Sequence, residues 1–218
     1  MIKMRLAALA TASLLASGLA AATPASAANL TPLSYTFNAA TDCGSWCYHD
    51  PSFTKLTDSV LGAEGWAANQ GAEWDGWTDR SVDIDFTFAS AKTFTSVTIG
   101  TTQDRLDDVV LPNFNIFSST NGVNWTLQGS LVTPASAANN RNAFSTLPHG
   151  FLTVSGLNFT APLVRVQAVN NGPWIFVDEV TFQGRGGVPE PATWGMMILG
   201  FGAAGSMIRR RRAGLASA

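Results

Sequence analysis

Residues 81–89 alternate without a break, with Val82, Ile84, Phe86 and Phe88 on one parity and Asp83, Asp85 and Thr87 on the other. Side chains of an extended chain point alternately to two sides, so this pattern describes a strand with one buried face. The rest of the interior follows suit. Residues 93–101 are rich in β-branched side chains, and residues 113–119 and 124–131 flank Thr120-Asn121-Gly122-Val123. Asn-Gly between two such runs is the strongest short hairpin signal. Residues 150–160 form another strand, and residues 163–169 and 174–182 flank the turn Asn170-Asn171-Gly172-Pro173. Only residues 56–68 offer a short turn of helix. Many short strands with Asn, Gly and Pro turns predict an all-β fold, a sandwich or jelly roll.

Both ends carry charge-free apolar runs of a different kind. Lys3 and Arg5 precede the Ala/Leu-rich residues 6–22, and Ala25-Ser26-Ala27 has the A-x-A form of a cleavage site. Residues 1–27 therefore read as a secretory signal peptide cut after Ala27. At the other end Val188-Pro189-Glu190-Pro191 precedes the apolar residues 192–208, which Arg209 to Arg212 close, leaving residues 213–218 as a tail. At ~1.5 Å per residue, residues 192–208 span about 25 Å, the short end of a transmembrane helix. The arginine block keeps its side cytoplasmic. What remains, residues 28–187, is the size of one domain. It holds seven basic and fourteen acidic side chains, a net of −7. Such a charge argues against nucleic acid or anionic lipid as partner.

The triplet, apolar helix and arginine cluster of residues 188–212 resemble the PEP-CTERM sorting signal of Gram-negative, exopolysaccharide-producing bacteria. The resemblance implies an exosortase as partner, with processing around Val188, Pro189, Glu190 and Pro191. It also implies transient residence of the C-terminal helix in the inner membrane, then arrival at the cell surface or outside the cell. The alternative is a tail anchor that is never cut.

Several stretches of residues 52–183 are similar, in order, to the galactose-binding-like (discoidin, coagulation-factor type C) jelly roll. They are Lys55-Leu56-Thr57-Asp58, the tryptophans from Trp74 to Trp77, Val82 to Phe86 with Phe94 to Ile99, Ile116 to Trp125, Leu163 to Val166, and Trp174 to Val180. Ser59 stands where that family usually has Gly, and Asn121 where it has Asp. The resemblance implies eight antiparallel strands with ligand loops at one end. It also implies a structural Ca2+ held by Asp58 and Glu179, with backbone carbonyls supplying further oxygens. Otherwise Asp58 caps a turn and Glu179 pairs with Arg165 or Arg80.

Candidate ligand residues lie in two polar loops. Trp66 and Trp77 belong to a Gly-rich stretch, residues 65–77, and offer aromatic planes on which sugar C–H groups stack. Trp74, Trp125 and Trp174 are flanked by strands and read as packing. In residues 102–108, Asp104 and Arg105 suit bidentate hydrogen bonds to hydroxyls, or else form a solvated charge run. Export makes a Cys43–Cys47 disulfide the expected state. The alternative is a metal site of Cys43, Cys47 and His49. His49 and His149 lack partner patterns, no catalytic motif is present, and Asp83 and Asp85 face outward from their strand. The sequence thus predicts no enzyme. It predicts a secreted module binding carbohydrate, exopolysaccharide included, or a structural adhesion protein of the matrix without a sugar site.

Overall fold

The computed structural model describes residues 27–62, 66–104, 108–134, 149–185, 195 and 198–201. Residues 25–186 form one compact unit. Its eight strands are β1 (Ala27–Leu30), β2 (Ser34–Phe37), β3 (Asp75–Thr78), β4 (Val82–Thr102), β5 (Asn113–Ser119), β6 (Thr126–Leu131), β7 (His149–Val169) and β8 (Trp174–Arg185). Every pairing between them is antiparallel. In place of a helix at residues 56–68 there are two short 3-10 turns, Lys55–Thr57 and Ala68–Gly71.

The architecture is a single antiparallel sheet curled on itself into a jelly-roll sandwich. The curl follows from two strands longer than the sequence pattern suggests. Residues 81–89 and 93–101 look like two strands, yet both belong to β4, and residues 150–160 and 163–169 both belong to β7. Near one end β4 lies between β2 and β7: Asp85 pairs with Thr36 and with Arg165. Near the other it lies between β7 and β8: Ile99 pairs with Leu152 and with Val180. A register shift between Thr87 and Lys92 marks the change of layer. Bulges bend a strand in this way and let it serve both layers.

The alternation of residues 82–88 does what it predicts. Val82, Ile84, Phe86 and Phe88 are buried between the layers with Phe94, Val97, Ile99, Val164, Val166 and Phe182. On the outer face Arg165 reaches back across the sheet to both neighbouring carboxylates, with Nε 2.6 Å from Asp85 and Nη1 2.9 Å from Asp83. Its guanidinium lies 4.2 Å from the centre of the half-buried Trp125 ring. Trp125 therefore covers an ion pair.

The apolar C-terminal run is helical at Gly195 and at residues 198–201, with Ile198, Leu199 and Phe201 exposed. Among the described residues no helix is long and apolar enough to cross a membrane. The sorting residues Val188 to Pro191, most of residues 192–208 and the signal residues 1–26 lie outside the described part. Ala27 opens β1 opposite Arg185.

Candidate functional site

A second, smaller aromatic cluster sits outside the main core. Tyr48, Trp74, Val109 and Phe176 form its buried part, with Trp46, Trp66 and Trp174 packed around them. Strand β8 supplies its centre. Ile175 and Val177 face the main core, so Trp174 and Phe176 point to the other side. The Phe176 ring is nearly parallel to both indoles, at 10° and 5.9 Å from Trp66 and at 7° and 5.3 Å from Trp174. Tyr48 meets Phe176 edge-on at 4.6 Å, which places the positive ring edge against the negative face. Together with Gly44, Ser45, Asp108 and Val109 these rings line a cleft of about 220 Å3. Phe176 and Tyr48 are buried, so the two half-buried indoles supply most of the reachable aromatic surface.

Three loops hold the cleft. Cys43 and Cys47 are joined by a disulfide. Their loop is tied to β3, because Asp42 N–H donates to the Gly76 carbonyl at 2.8 Å and Gly76 N–H to the Tyr48 carbonyl at 3.4 Å. Gly71 lies at φ +72°, a backbone region hostile to side chains, and a Cβ there would stand 2.2 Å from the Tyr48 ring. On the far wall Trp174 N–H donates to the Asp108 carbonyl at 2.9 Å, and Asp108 N–H to Asp104 Oδ1 at 3.2 Å. Partial burial pushes the Asp108 carboxyl above its usual range, and the Asp104 charge adds to that. The cleft thus offers apolar planes with an acceptor at the rim.

The two tryptophans proposed from sequence part company here. Trp66 lines the cleft. Trp77 does not: its side chain is fully buried, packs edge-on against Phe37 at 5.1 Å, and donates from Nε1 to the Ala39 carbonyl at 3.2 Å. Only the end of the stretch read as a loop, from Asp75 on, is strand β3, and the register Trp77 opposite Ile175 turns that side chain into the core. Trp74 is buried as expected, whereas Trp174, read as packing, is a wall of the cleft. Asp104 braces the loop beside the site, and Arg105 lies outside the described residues. Tyr48 and Asp108 were legible only as members of a Cys-rich and an acidic stretch.

A second constellation lies at the bulge in β8. Residues Ile99 and Thr101 of β4 face Val180 and Val177, so β8 carries one extra residue there, at Asp178-Glu179. A bulge re-aims consecutive side chains. Asp178 Oδ2 accepts from Gly62 N–H at 2.7 Å and sits 2.6 Å from His149 Nε2, while Glu179 Oε2 accepts from Ser59 N–H at 2.9 Å. Two successive carboxylates thereby pin residues 59–62. His149, which showed no partner in sequence, has one in Asp178. Burial raises the Asp178 carboxyl, and the Gly62 N–H and His149 oppose that. Burial likewise pushes Glu179 up to about 7; Ser59 N–H opposes this, and Asp58 and Asp178 add to it.

Asp58 and Glu179 are therefore neighbours in space, and each is without an ion-pair partner among the described residues. Neither alternative for Glu179 holds, because Arg165 is clamped by Asp83 and Asp85 and Arg80 pairs with Asp42. The two carboxylates, each accepting from a backbone N–H of the turn after Thr57, supply oxygens of the kind that a hard cation such as Ca2+ takes. Cys43, Cys47 and His49 also cluster, with Cys43 Sγ 3.2 Å from His49 Nε2. With both sulfurs committed to the disulfide, no thiolate is left to bind a metal.

Residues 187–212 match the PEP-CTERM protein-sorting motif. No curated protein matches the chain. Among solved structures, the CBM32 of AlyQ in complex with 4,5-unsaturated mannuronic acid aligns at 18% identity and a TM-score of 0.47, over 71% of this chain and 97% of that one. The family 32 CBM from C. perfringens NanJ in complex with galactose aligns at 13% identity and a TM-score of 0.46, over 72% and 98%. The C-terminal domain of a chitobiase from Bacteroides fragilis aligns at 13% identity and a TM-score of 0.48, over 72% and 97%.

Proposed function

We propose that this chain is an exported protein whose sandwich binds a neutral glycan in the Trp66–Trp174 cleft. One observation carries the reading: two accessible indoles lie nearly parallel to a shared Phe176 ring, with the Asp108 carboxylate at the rim. A sugar ring has an apolar C–H face that stacks on such planes and hydroxyls that donate to a carboxylate. The cleft of about 220 Å3 is smaller than the ~300–1,000 Å3 of drug-sized sites and suits one or two sugar residues. A net charge of −7 over residues 28–187 disfavours acidic polysaccharides and leaves neutral ones.

The sorting motif at residues 187–212 supports delivery to the cell surface through an exosortase, with the helix leaving during processing. There the protein meets the exopolysaccharide of its own matrix. The module works by binding, and the carboxylate of Asp178, the partner of His149, is fully buried and accepts from Gly62 N–H. A calcium ion between Asp58 and Glu179 fixes the loop beside β8. The test is a neutral-glycan array probed with the full chain and with Trp174→Ala, in a detergent without sugar headgroups. Binding by the wild type that Trp174→Ala abolishes is the expected result. An array blank for both assigns the protein to the structural, adhesive class.

A further inference from the structure

Residues 41–51 form a ridge with a hollow on each flank. Gly44, Ser45 and Tyr48 line the aromatic cleft, while Thr41, His49 and Pro51 line a second hollow of about 330 Å3. The floor of this second hollow is a pair of phenyl rings, Phe37 and Phe53, with centroids 5.3 Å apart. Phe53 is 41% exposed and has a φ of +52°. A bulky side chain in the left-handed region is an outlier, and such strain collects at ligand sites. The strain is held in place from beneath. Phe53 N–H donates to the Asp50 carbonyl at 3.3 Å, and its ring meets Tyr35 edge-on at 5.9 Å. The Asp50 carboxylate is already taken by the Tyr35 hydroxyl, Ser52 and the Lys55 N–H. At the rim stand the Thr41 hydroxyl and the His49 ring, 2.8 Å apart.

We infer that the Phe37–Phe53 hollow is a second subsite, which takes a further residue of the same neutral glycan chain after it crosses the ridge. The inference rests on the glycan reading of the first cleft. The aromatic floor repeats that of the first cleft, while the rim differs: the Thr41 hydroxyl and the His49 ring bond each other, and the Asp50 carboxylate of the lining is engaged from beneath. Residues 41–51 contribute to the lining of both hollows, so a polymer that crosses this segment would engage both, whereas a monosaccharide fills only one. Linked subsites multiply affinity through effective concentration, by about 10²–10⁴ where the geometry allows both to engage.

The test uses the full chain in detergent without sugar headgroups. The probes are galactose, mannose and glucose by calorimetry, and galactomannan, xyloglucan and dextran by affinity electrophoresis. Phe53→Gly removes the ring and relieves the left-handed backbone, so the fold is retained; Phe53→Tyr keeps the ring. Expected for Phe53→Gly is a loss of about tenfold or more on the bound polysaccharide, with the monosaccharide Kd within about twofold of wild type. Phe53→Tyr binds both as wild type, and Trp174→Ala loses both. Undiminished polysaccharide binding by Phe53→Gly, beside a sensitive Trp174→Ala, overturns the subsite and leaves the first cleft standing. Equal losses on monosaccharide and polymer for Phe53→Gly also overturn it. A wild type that binds none of the probes overturns both readings. A hollow that instead takes an apolar peptide would show as polysaccharide binding indifferent to Phe53.

Discussion

The fully buried carboxylate of Asp75 lies 3.7 Å from the Lys55 ammonium, and among the described residues neither of its oxygens accepts a hydrogen bond. Burial pushes this carboxyl up to about 8; Lys55 opposes the shift, and the Asp50 and Asp58 charges add to it. A folded-state value above the unfolded one means that folding favours the protonated form. The cost is absent below about pH 4 and complete above about pH 8. Asp75→Asn should therefore stabilise the protein at pH 9 by on the order of 2–3 kcal/mol, roughly 5–10 °C in Tm, and change little at pH 4. Calorimetric melts of both proteins across that range check it. A variant less stable than wild type at pH 9 would show that the Lys55 attraction outweighs desolvation.

The tryptophans offer a sharper contrast. Trp66→Ala and Trp174→Ala remove partly exposed rings of the cleft and should weaken glycan binding by about tenfold or more, with Tm changes of only a few degrees. Trp77→Ala empties a site inside the core and loses the bond to Ala39, so it should cost about 3–5 kcal/mol and melt far earlier. Titration and melting of the three variants side by side decide it. Equal Tm losses at Trp77 and Trp174 would contradict the separation of core from cleft.

How much of this was legible in sequence depends on how local the signal is. The alternation of Val82 to Phe88 reports burial directly, since each residue carries its own face. Asn121-Gly122 reports its turn directly as well: Ser119 and Asn121 side chains accept the N–H groups of Gly122 and Asn124, at 3.0 and 2.9 Å. The tryptophans do not report their surroundings. Trp77 sits in a Gly-rich stretch, but its burial is fixed by pairing with Ile175, almost a hundred residues away. Trp174 begins a strand, and its exposure follows from which side of β8 the bulge leaves to the main core. His149 and Asp178 meet because β7 and β8 both flank β4, a fact of topology that neither neighbourhood contains. Long-range register was the missing information, and with it the cleft.

The Cys43–Cys47 bridge closes a very short loop. In the chain-entropy account it contributes about 2 kcal/mol. Because Gly44 and Ser45 line the cleft, loosening the loop should also reduce glycan affinity. Reductant, or Cys43→Ser with Cys47→Ser, should lower Tm by roughly 4–8 °C. Thiol labelling without reductant should modify neither residue. If zinc restores the Tm of the reduced protein, the two thiolates and His49 form a working metal site after all.

Processing is testable by mass alone. The A-x-A site and the sorting motif at residues 187–212 together predict a surface protein that begins at Ala28 and ends between Pro189 and Pro191. Such a chain keeps β1 from Ala28 onward, still paired with Gly184. Intact mass of surface-extracted protein reads both ends at once. A mass that retains Arg209 to Arg212 contradicts C-terminal removal.

The last expectation concerns Asp58 and Glu179. Ser59 N–H bonds Glu179, and Val60 N–H bonds Asp58 Oδ1 at 2.8 Å, so the turn between the two carboxylates is already held open by its own backbone. Ser59 sits at φ +66°, a conformation that glycine adopts freely and serine does not. One ion shared by these two carboxylates would join segments far apart in sequence. Binding to the folded state alone stabilises it by about 2.7 kcal/mol at a hundredfold excess over Kd. For a domain of this size that is a rise of roughly 5–10 °C in Tm. Calcium should produce this rise, chelator should abolish it, and Glu179→Gln should remove it while its amide oxygen still accepts from Ser59 N–H. In chelator the variant should melt no lower than wild type, and higher above about pH 7, because burial raises the Glu179 carboxyl and the amide escapes the cost of ionising there. Identical melting of the wild type in calcium and in chelator would sink the staple. Glu179 would then serve only to anchor the Ser59 turn, since Arg165 and Arg80 are engaged elsewhere.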